Sequence, residues 1–128
     1  MIKYIIITCI WLFSNLSLSK DFSWYDLELK NNLYYEKEKN ILFTGEIKSK
    51  KNGKIIKGLK EGAWLEYWED GTISSITNYK KGKYEGEYIS YYKNGQLNVK
   101  ANYIDDKKEG EFIDYYEYAR SYAEVIFE

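Results

Sequence analysis

Three Glu-Gly pairs recur at a fixed interval of 24 residues: Glu61-Gly62, Glu85-Gly86 and Glu109-Gly110. Behind each pair the same columns follow. Trp64, Tyr88 and Phe112 align, as do Leu65, Ile89 and Ile113, then Tyr67, Tyr91 and Tyr115, then Trp68, Tyr92 and Tyr116. Gly71 and Gly95 fall in register, and so do Tyr79, Tyr103 and Phe127. A degenerate earlier unit runs from Thr44-Gly45 through Asn52-Gly53 to Lys57-Gly58. A repeat of this length constrains the architecture more than any local signal. Each unit is one supersecondary element that buries its apolar side only by stacking on the next.

Composition decides what that element is. Fifteen tyrosines and no proline favour strands, because aromatic side chains suit a pleated, half-buried surface. Nine glycines supply turns. Asp70-Gly71 and Asn94-Gly95 predict two-residue type I′ hairpin turns. A turn at Asn94-Gly95 pairs Tyr92 with Leu97, Ser90 with Val99, Tyr88 with Ala101 and Gly86 with Tyr103. In the preceding unit Gly62 meets Tyr79, so a ring is expected over a strand glycine in each repeat. A connection at Gly82-Lys83 pairs Tyr79 with Gly86 and Ile73 with Tyr92. The last unit follows the same scheme, with turns at Asp106-Lys107 and Tyr118-Ala119 and with Phe112 facing Val125 and Gly110 facing Phe127. The expected fold is all-β: an antiparallel meander of tandem 24-residue β-hairpin repeats forming an elongated twisted sheet.

Alternation assigns the faces. The first carries Trp64, Trp68, Tyr88, Tyr92, Phe112 and Tyr116 with Leu97, Val99 and Tyr103, and reads as packing. The second carries Tyr67, Tyr91 and Tyr115 with Leu65, Ile89 and Ile113, diluted by Ser74, Asn98, Lys100 and Asn102. Tyr67, Tyr91, Tyr115, Ile89 and Ile113 are the candidate partner-binding residues, because tyrosine is enriched at interfaces as well as in sheets.

Upstream of the repeats the chain divides into two parts. Residues 1–19 have a lysine near the start, an apolar run from Tyr4 to Phe13 and a small-residue end at Ser17-Leu18-Ser19, the order of a secretory signal peptide cleaved before Lys20. An uncleaved anchor is the alternative reading. Lipid attachment at Cys9 fits poorly, since the apolar run continues past it. Residues 20–43 predict a hairpin, Leu27 and Leu29 against Leu33 to Tyr35 around Lys30-Asn31-Asn32, then a charged loop over Glu36 to Asn40. Residues 44–128 hold the repeats.

Catalysis finds little support. There is no histidine, the commonest general base and metal ligand, and the one cysteine lies in the leader. Asp105-Asp106 reads as turn chemistry rather than a cation site. The Glu61, Glu85 and Glu109 column reads as solvated charge, with Lys80 opposite Glu85. No phosphate loop, zinc spacing or nucleophile motif occurs. No catalytic residue, cofactor or metal is expected. Nineteen basic and 20 acidic residues leave a formal charge of −1, which gives no case for nucleic acid and little for a membrane surface once the leader is removed.

The run Gly62-x-Trp64-x-x-Tyr67-Trp68-x-x-Gly71, echoed by Gly86-x-Tyr88-x-x-Tyr91-Tyr92-x-x-Gly95, resembles the MORN repeat variant of the bacterial YwqK family. Leu33-Tyr34-Tyr35 followed by Phe43-Thr44-Gly45 is similar to the start of that family's repeat region. The third unit departs from the pattern at Ala119, which suits a terminal cap. Members of that family are described as antitoxins of toxin–antitoxin systems. The resemblance therefore implies a non-catalytic module that binds a protein partner, a toxin being the partner it suggests, as an antitoxin or immunity protein. A structural or scaffold protein of the cell envelope is the alternative that the leader and the repeats suggest.

Overall fold

The computed structural model describes residues 21–117. The expectations for the leader, for the Tyr118-Ala119 turn and for Val125 and Phe127 lie outside these residues. A single 3₁₀ turn, Trp24–Asp26, precedes ten strands: β1 Leu27–Lys30, β2 Leu33–Glu36, β3 Ile41–Leu42, β4 Gly45–Ile47, β5 Lys51–Ile56, β6 Leu59–Tyr67, β7 Ile73–Lys80, β8 Lys83–Tyr91, β9 Leu97–Ile104 and β10 Lys107–Asp114. They form two antiparallel meanders in chain order, a three-stranded sheet of β1 to β3 and a seven-stranded sheet of β4 to β10. The expected meander of the repeats is the seven-stranded sheet, and the N-terminal hairpin belongs to the small sheet, with a break between the two at Phe43-Thr44. Backbone bonds bridge the break: Tyr34 N–H donates to Gly58 O, Gly58 N–H to Phe43 O and Phe43 N–H to Tyr34 O, at 2.8–2.9 Å.

The mid-strand pairing agrees with the sequence reading. Gly86 faces Tyr103, Tyr88 faces Ala101 and Ser90 faces Val99, while Gly62 faces Tyr79. The turns differ. Asp70 and Asn94 do not have positive φ; only the glycines after them do, Gly71 at 86° and Gly95 at 81°. Tyr92 N–H donates to Gln96 O and Gly95 N–H to Tyr92 O, and Trp68, Gly71 and Thr72 repeat the pattern. These are three-residue loops closed by a left-handed glycine rather than type I′ turns. Asp70 and Asn94 serve them differently, each side chain accepting the backbone N–H two residues on, from Thr72 and Gln96, at 2.9 Å.

The type I′ geometry sits instead at the connections between hairpins. Both residues of Lys57-Gly58, Lys81-Gly82 and Asp105-Asp106 have positive φ, as do Asn31 and Asn32 in the β1–β2 hairpin. Each inter-repeat connection therefore lies one residue earlier than the sequence suggested. Lys80 pairs with Lys83 and Tyr79 with Tyr84, yet Thr77 still pairs with Tyr88 as the sequence reading requires. A bulge absorbs the difference, and at its centre Gly86 has φ of 97°. Gly62 and Gly110, at 71° and 75°, occupy the equivalent irregularities of β5–β6 and β9–β10. The repeating glycine is thus needed for its backbone conformation and not to be covered by a ring: an added Cβ at Gly62 or Gly110 would meet nothing within 4 Å.

The glutamates of the first two Glu-Gly pairs have a similar local purpose. Glu61 accepts the N–H of Lys81 at 2.8 Å, and Glu85 accepts that of Asp105 at 2.9 Å. Lys60 O and Tyr84 O accept the next N–H, from Gly82 and Asp106. The connections at Lys81-Gly82 and Asp105-Asp106 are thereby fastened to the start of the preceding repeat. The expected Lys80–Glu85 charge pair gives way to this capping, because the shifted turn places Lys83 opposite Lys80.

The core lies at the N-terminal end of the first face. Leu27, Phe43, Ile47, Ile55 and Trp64 are buried together, with Phe22, Trp24, Tyr34 and Tyr79 packed against them. Trp64 is 2% exposed and lies across Gly53, where a Cβ would stand 2.4 Å from the indole. Its Nε1 donates to Lys54 O at 3.2 Å, so the buried polar atom has a partner. Trp24 reaches the same cluster because Asp26 accepts both the N–H and the hydroxyl of Ser23, fixing the 3₁₀ turn.

Gly86→Ala separates the two roles for the repeat glycine. Alanine in an ordinary flat strand gains about 0.5–1 kcal/mol over glycine, whereas at a φ of 97° it is strained. We expect a loss of about 1 kcal/mol or more in urea unfolding. Greater stability in the alanine variant would remove the bulge.

Candidate functional site

The sheet offers two faces with different surroundings. On the second, Leu65, Ile76, Ile89, Lys100 and Ile113 form one row in register across β6 to β10. Tyr67, Tyr91 and Tyr115 each follow two residues behind a member of that row, so they share its face on alternate strands. Two strand spacings set neighbouring members about 10 Å apart. Tyr67 is anchored by the Asn52 amide, which donates to its hydroxyl at 3.3 Å. Tyr115 is 41% exposed and lies just beyond β10, its N–H on Asn98 O at 2.8 Å. The structure thus brings the five candidate residues, Tyr67, Tyr91, Tyr115, Ile89 and Ile113, onto one face. None of them belongs to the core cluster. Lys100, the one charged member of the row, is paired with Glu87 at 2.8 Å.

The first face is covered only in part. The 3₁₀ turn, β1 and Phe43 close over Ile55 and Trp64. Beyond them a chain of ring contacts continues from Trp64 to Tyr79, Tyr84, Tyr103 and Tyr88, with centroids 5.0–6.4 Å apart. Tyr84 and Phe112 are 39% and 48% exposed. Packing is therefore the role of this face at Trp64, and an open aromatic strip is its form further along.

One group at the junction was missed in the sequence. The Lys60 ammonium lies 4.6 Å from the ring centre of Trp64, 4.8 Å from Tyr79 and 5.9 Å from Trp24. Among the described residues no carboxylate forms an ion pair with it. Burial pushes its pKa below the ordinary lysine range, the Lys51 charge adds to this, and Glu66 opposes it. Burial likewise raises the Tyr34 hydroxyl, and burial with hydrogen bonding to Tyr84 raises that of Tyr79. A signal did exist: Lys60, Tyr84 and Lys108 are 24 residues apart, in a column just ahead of the Glu-Gly pairs. Lys108 stands over Phe112 at 4.0 Å as Lys60 stands over Trp64, four residues on in each case.

Among the described residues no group of His, Cys, Asp or Glu side chains converges to hold a metal ion. Nor is any helix there long and apolar enough to cross a membrane.

The class is therefore that of open antiparallel sheets made from tandem hairpin repeats. Residues 60–81 and 84–105 each match the MORN repeat variant. Repeats of that kind are generally protein- or membrane-binding modules. No curated protein and no solved structure matches the chain.

The depressed Lys60 pKa has a definite sign. Between the folded and unfolded pKa values the unfolded chain binds more protons at this site, so stability rises with pH there. Relative to Lys60→Met, the wild type is expected to gain stability as pH is raised toward the ordinary lysine pKa of about 10.4. Parallel stability profiles in urea unfolding would show that the ammonium is not desolvated.

Proposed function

We propose that this protein is an exported, non-catalytic binding module that grips a protein partner along the second face of its sheet, as a toxin-neutralising antitoxin or immunity protein. The observation that carries this reading is the one-sided covering of the sheet: the N-terminal elements pack on the first face, and the Tyr67, Tyr91 and Tyr115 ladder lies opposite. Tyrosine suits such a role because it offers a large amphipathic contact area at low entropic cost. The Leu65, Ile76, Ile89 and Ile113 row beside it supplies apolar surface for the centre of an interface. The matched MORN-type repeats support binding in general, and the resemblance to the YwqK family supports a toxin as the partner. With a leader that ends before Lys20, the module meets that partner outside the cytoplasm.

Two measurements test this. Affinity capture with the mature protein from its own cell envelope identifies the partner, and Tyr67, Tyr91 and Tyr115 are then changed together to serine. The triple variant should keep a β-sheet circular dichroism spectrum and bind at least about tenfold more weakly, a loss of roughly 1.4 kcal/mol or more. Undiminished binding by the folded variant would place the interface elsewhere. N-terminal sequencing of the exported protein should begin at or near Lys20, and a sequence beginning at Met1 would contradict cleavage.

A further inference from the structure

A cleft of about 450 Å³ opens on the first face where the small sheet meets the first connection between repeats. Leu29, Tyr34, Leu59, Lys60 and Tyr79 line it, with Lys81 and Lys83 among its other lining residues. The lysines of the cleft are not equivalent. Lys83 is already paired with Asp105. Asp106, the acidic residue of the lining, is also engaged, since its carboxylate accepts the Tyr84 N–H at 2.8 Å. Lys60 is half-buried, held against aromatic rings, and has no carboxylate partner among the described residues. A desolvated cation is stabilised only in part by ring faces, and a carboxylate would complete its environment.

From this geometry we propose that the cleft is a second recognition site, which takes an aspartate or glutamate side chain, flanked by apolar residues, from a protein partner. The carboxylate pairs with the Lys60 ammonium, and the apolar neighbours lie against Tyr34, Tyr79, Leu59 and Leu29. A protein segment fits these features better than an anionic membrane does. Attraction to a lipid surface needs clusters of roughly four to eight basic residues, whereas this chain has a formal charge of −1 and several of its lysines are paired. Lys60, the lysine of the cleft that is held against aromatic rings, matches one carboxylate set among apolar side chains. The site is separate from the tyrosine ladder, on the opposite face of the sheet, and does not depend on it.

The test uses two capped peptides, acetyl-Leu-Glu-Phe-amide and acetyl-Leu-Gln-Phe-amide, titrated into the mature protein while the indole N–H resonances of Trp24 and Trp64 are followed by NMR. Saturable shifts are expected with the glutamate peptide, at an affinity about tenfold above that of its glutamine counterpart. Lys60→Met should abolish the preference and Lys60→Arg should keep it, each variant being checked for its circular dichroism spectrum. The two-peptide comparison on the wild type decides the matter even if neither variant folds. Equal affinity for the two peptides, no shift with either, or an undiminished preference in folded Lys60→Met would overturn the proposal. Lys60-dependent binding to phosphatidylserine vesicles or inorganic phosphate without a peptide preference would overturn it too, and would assign the cleft to phosphate chemistry.

Discussion

In the repeats, β6, β8 and β10 each leave a two-residue connection two residues out of step with the pairing their neighbours require, and a glycine in the left-handed region takes up the difference. Gly62, Gly86 and Gly110 stand at these points with φ of 71°, 97° and 75°. Without the bulge, the type I′ connection and the mid-strand register could not coexist, since side chains alternate faces and register fixes which of them are buried. The preceding glutamate works alongside it. Glu61 and Glu85 each cap the first N–H of the following connection, and so hold consecutive repeats at a fixed offset. The Glu-Gly pair that marks the period is therefore the junction between units.

Once the register is set, the distribution of burial follows. Trp64, Thr77, Tyr88, Ala101 and Phe112 lie in one row across β6 to β10, yet exposure runs from 2% at Trp64 and Ala101 to 48% at Phe112. Between Trp64 and Phe112 the difference comes from what lies above the row. Trp24, Leu27 and Phe43 cover its β6 end and make a true core there with Ile47 and Ile55. Repeat sheets of this kind gain stability from neighbour contacts, and one closed end supplies the dense packing that a single layer lacks.

Much of this was legible in the chain. The period gave the strands, and the columns gave the faces, because a repeated aromatic at a fixed offset can only alternate one way on a pleated surface. The pairs Tyr88–Ala101 and Thr77–Tyr88 followed from the same arithmetic. The turns were harder to read. Moving a connection one residue earlier and adding a bulge leaves every mid-strand pair unchanged, so periodicity cannot distinguish the two solutions. Asp-Gly and Asn-Gly were equally ambiguous, since a single left-handed glycine closes a three-residue loop as well as it completes a type I′ turn. The Lys60 cleft was out of reach for another reason: Tyr34, Tyr79 and Leu29 come together only through the tertiary contact between the two sheets.

In the proposed function the second face of the sheet holds the partner, and Tyr88 and Tyr91 test this within one strand. They point to opposite faces of β8, Tyr88 in the row of Trp64 and Tyr91 behind the row of Ile89. A photo-crosslinking phenylalanine analogue placed at either position in the exported protein reports which face the partner covers in its own cell. Crosslinking to the captured partner from position 91 and not from position 88 is the expected result. Crosslinking from position 88 alone would contradict the account and assign recognition to the aromatic strip of the first face.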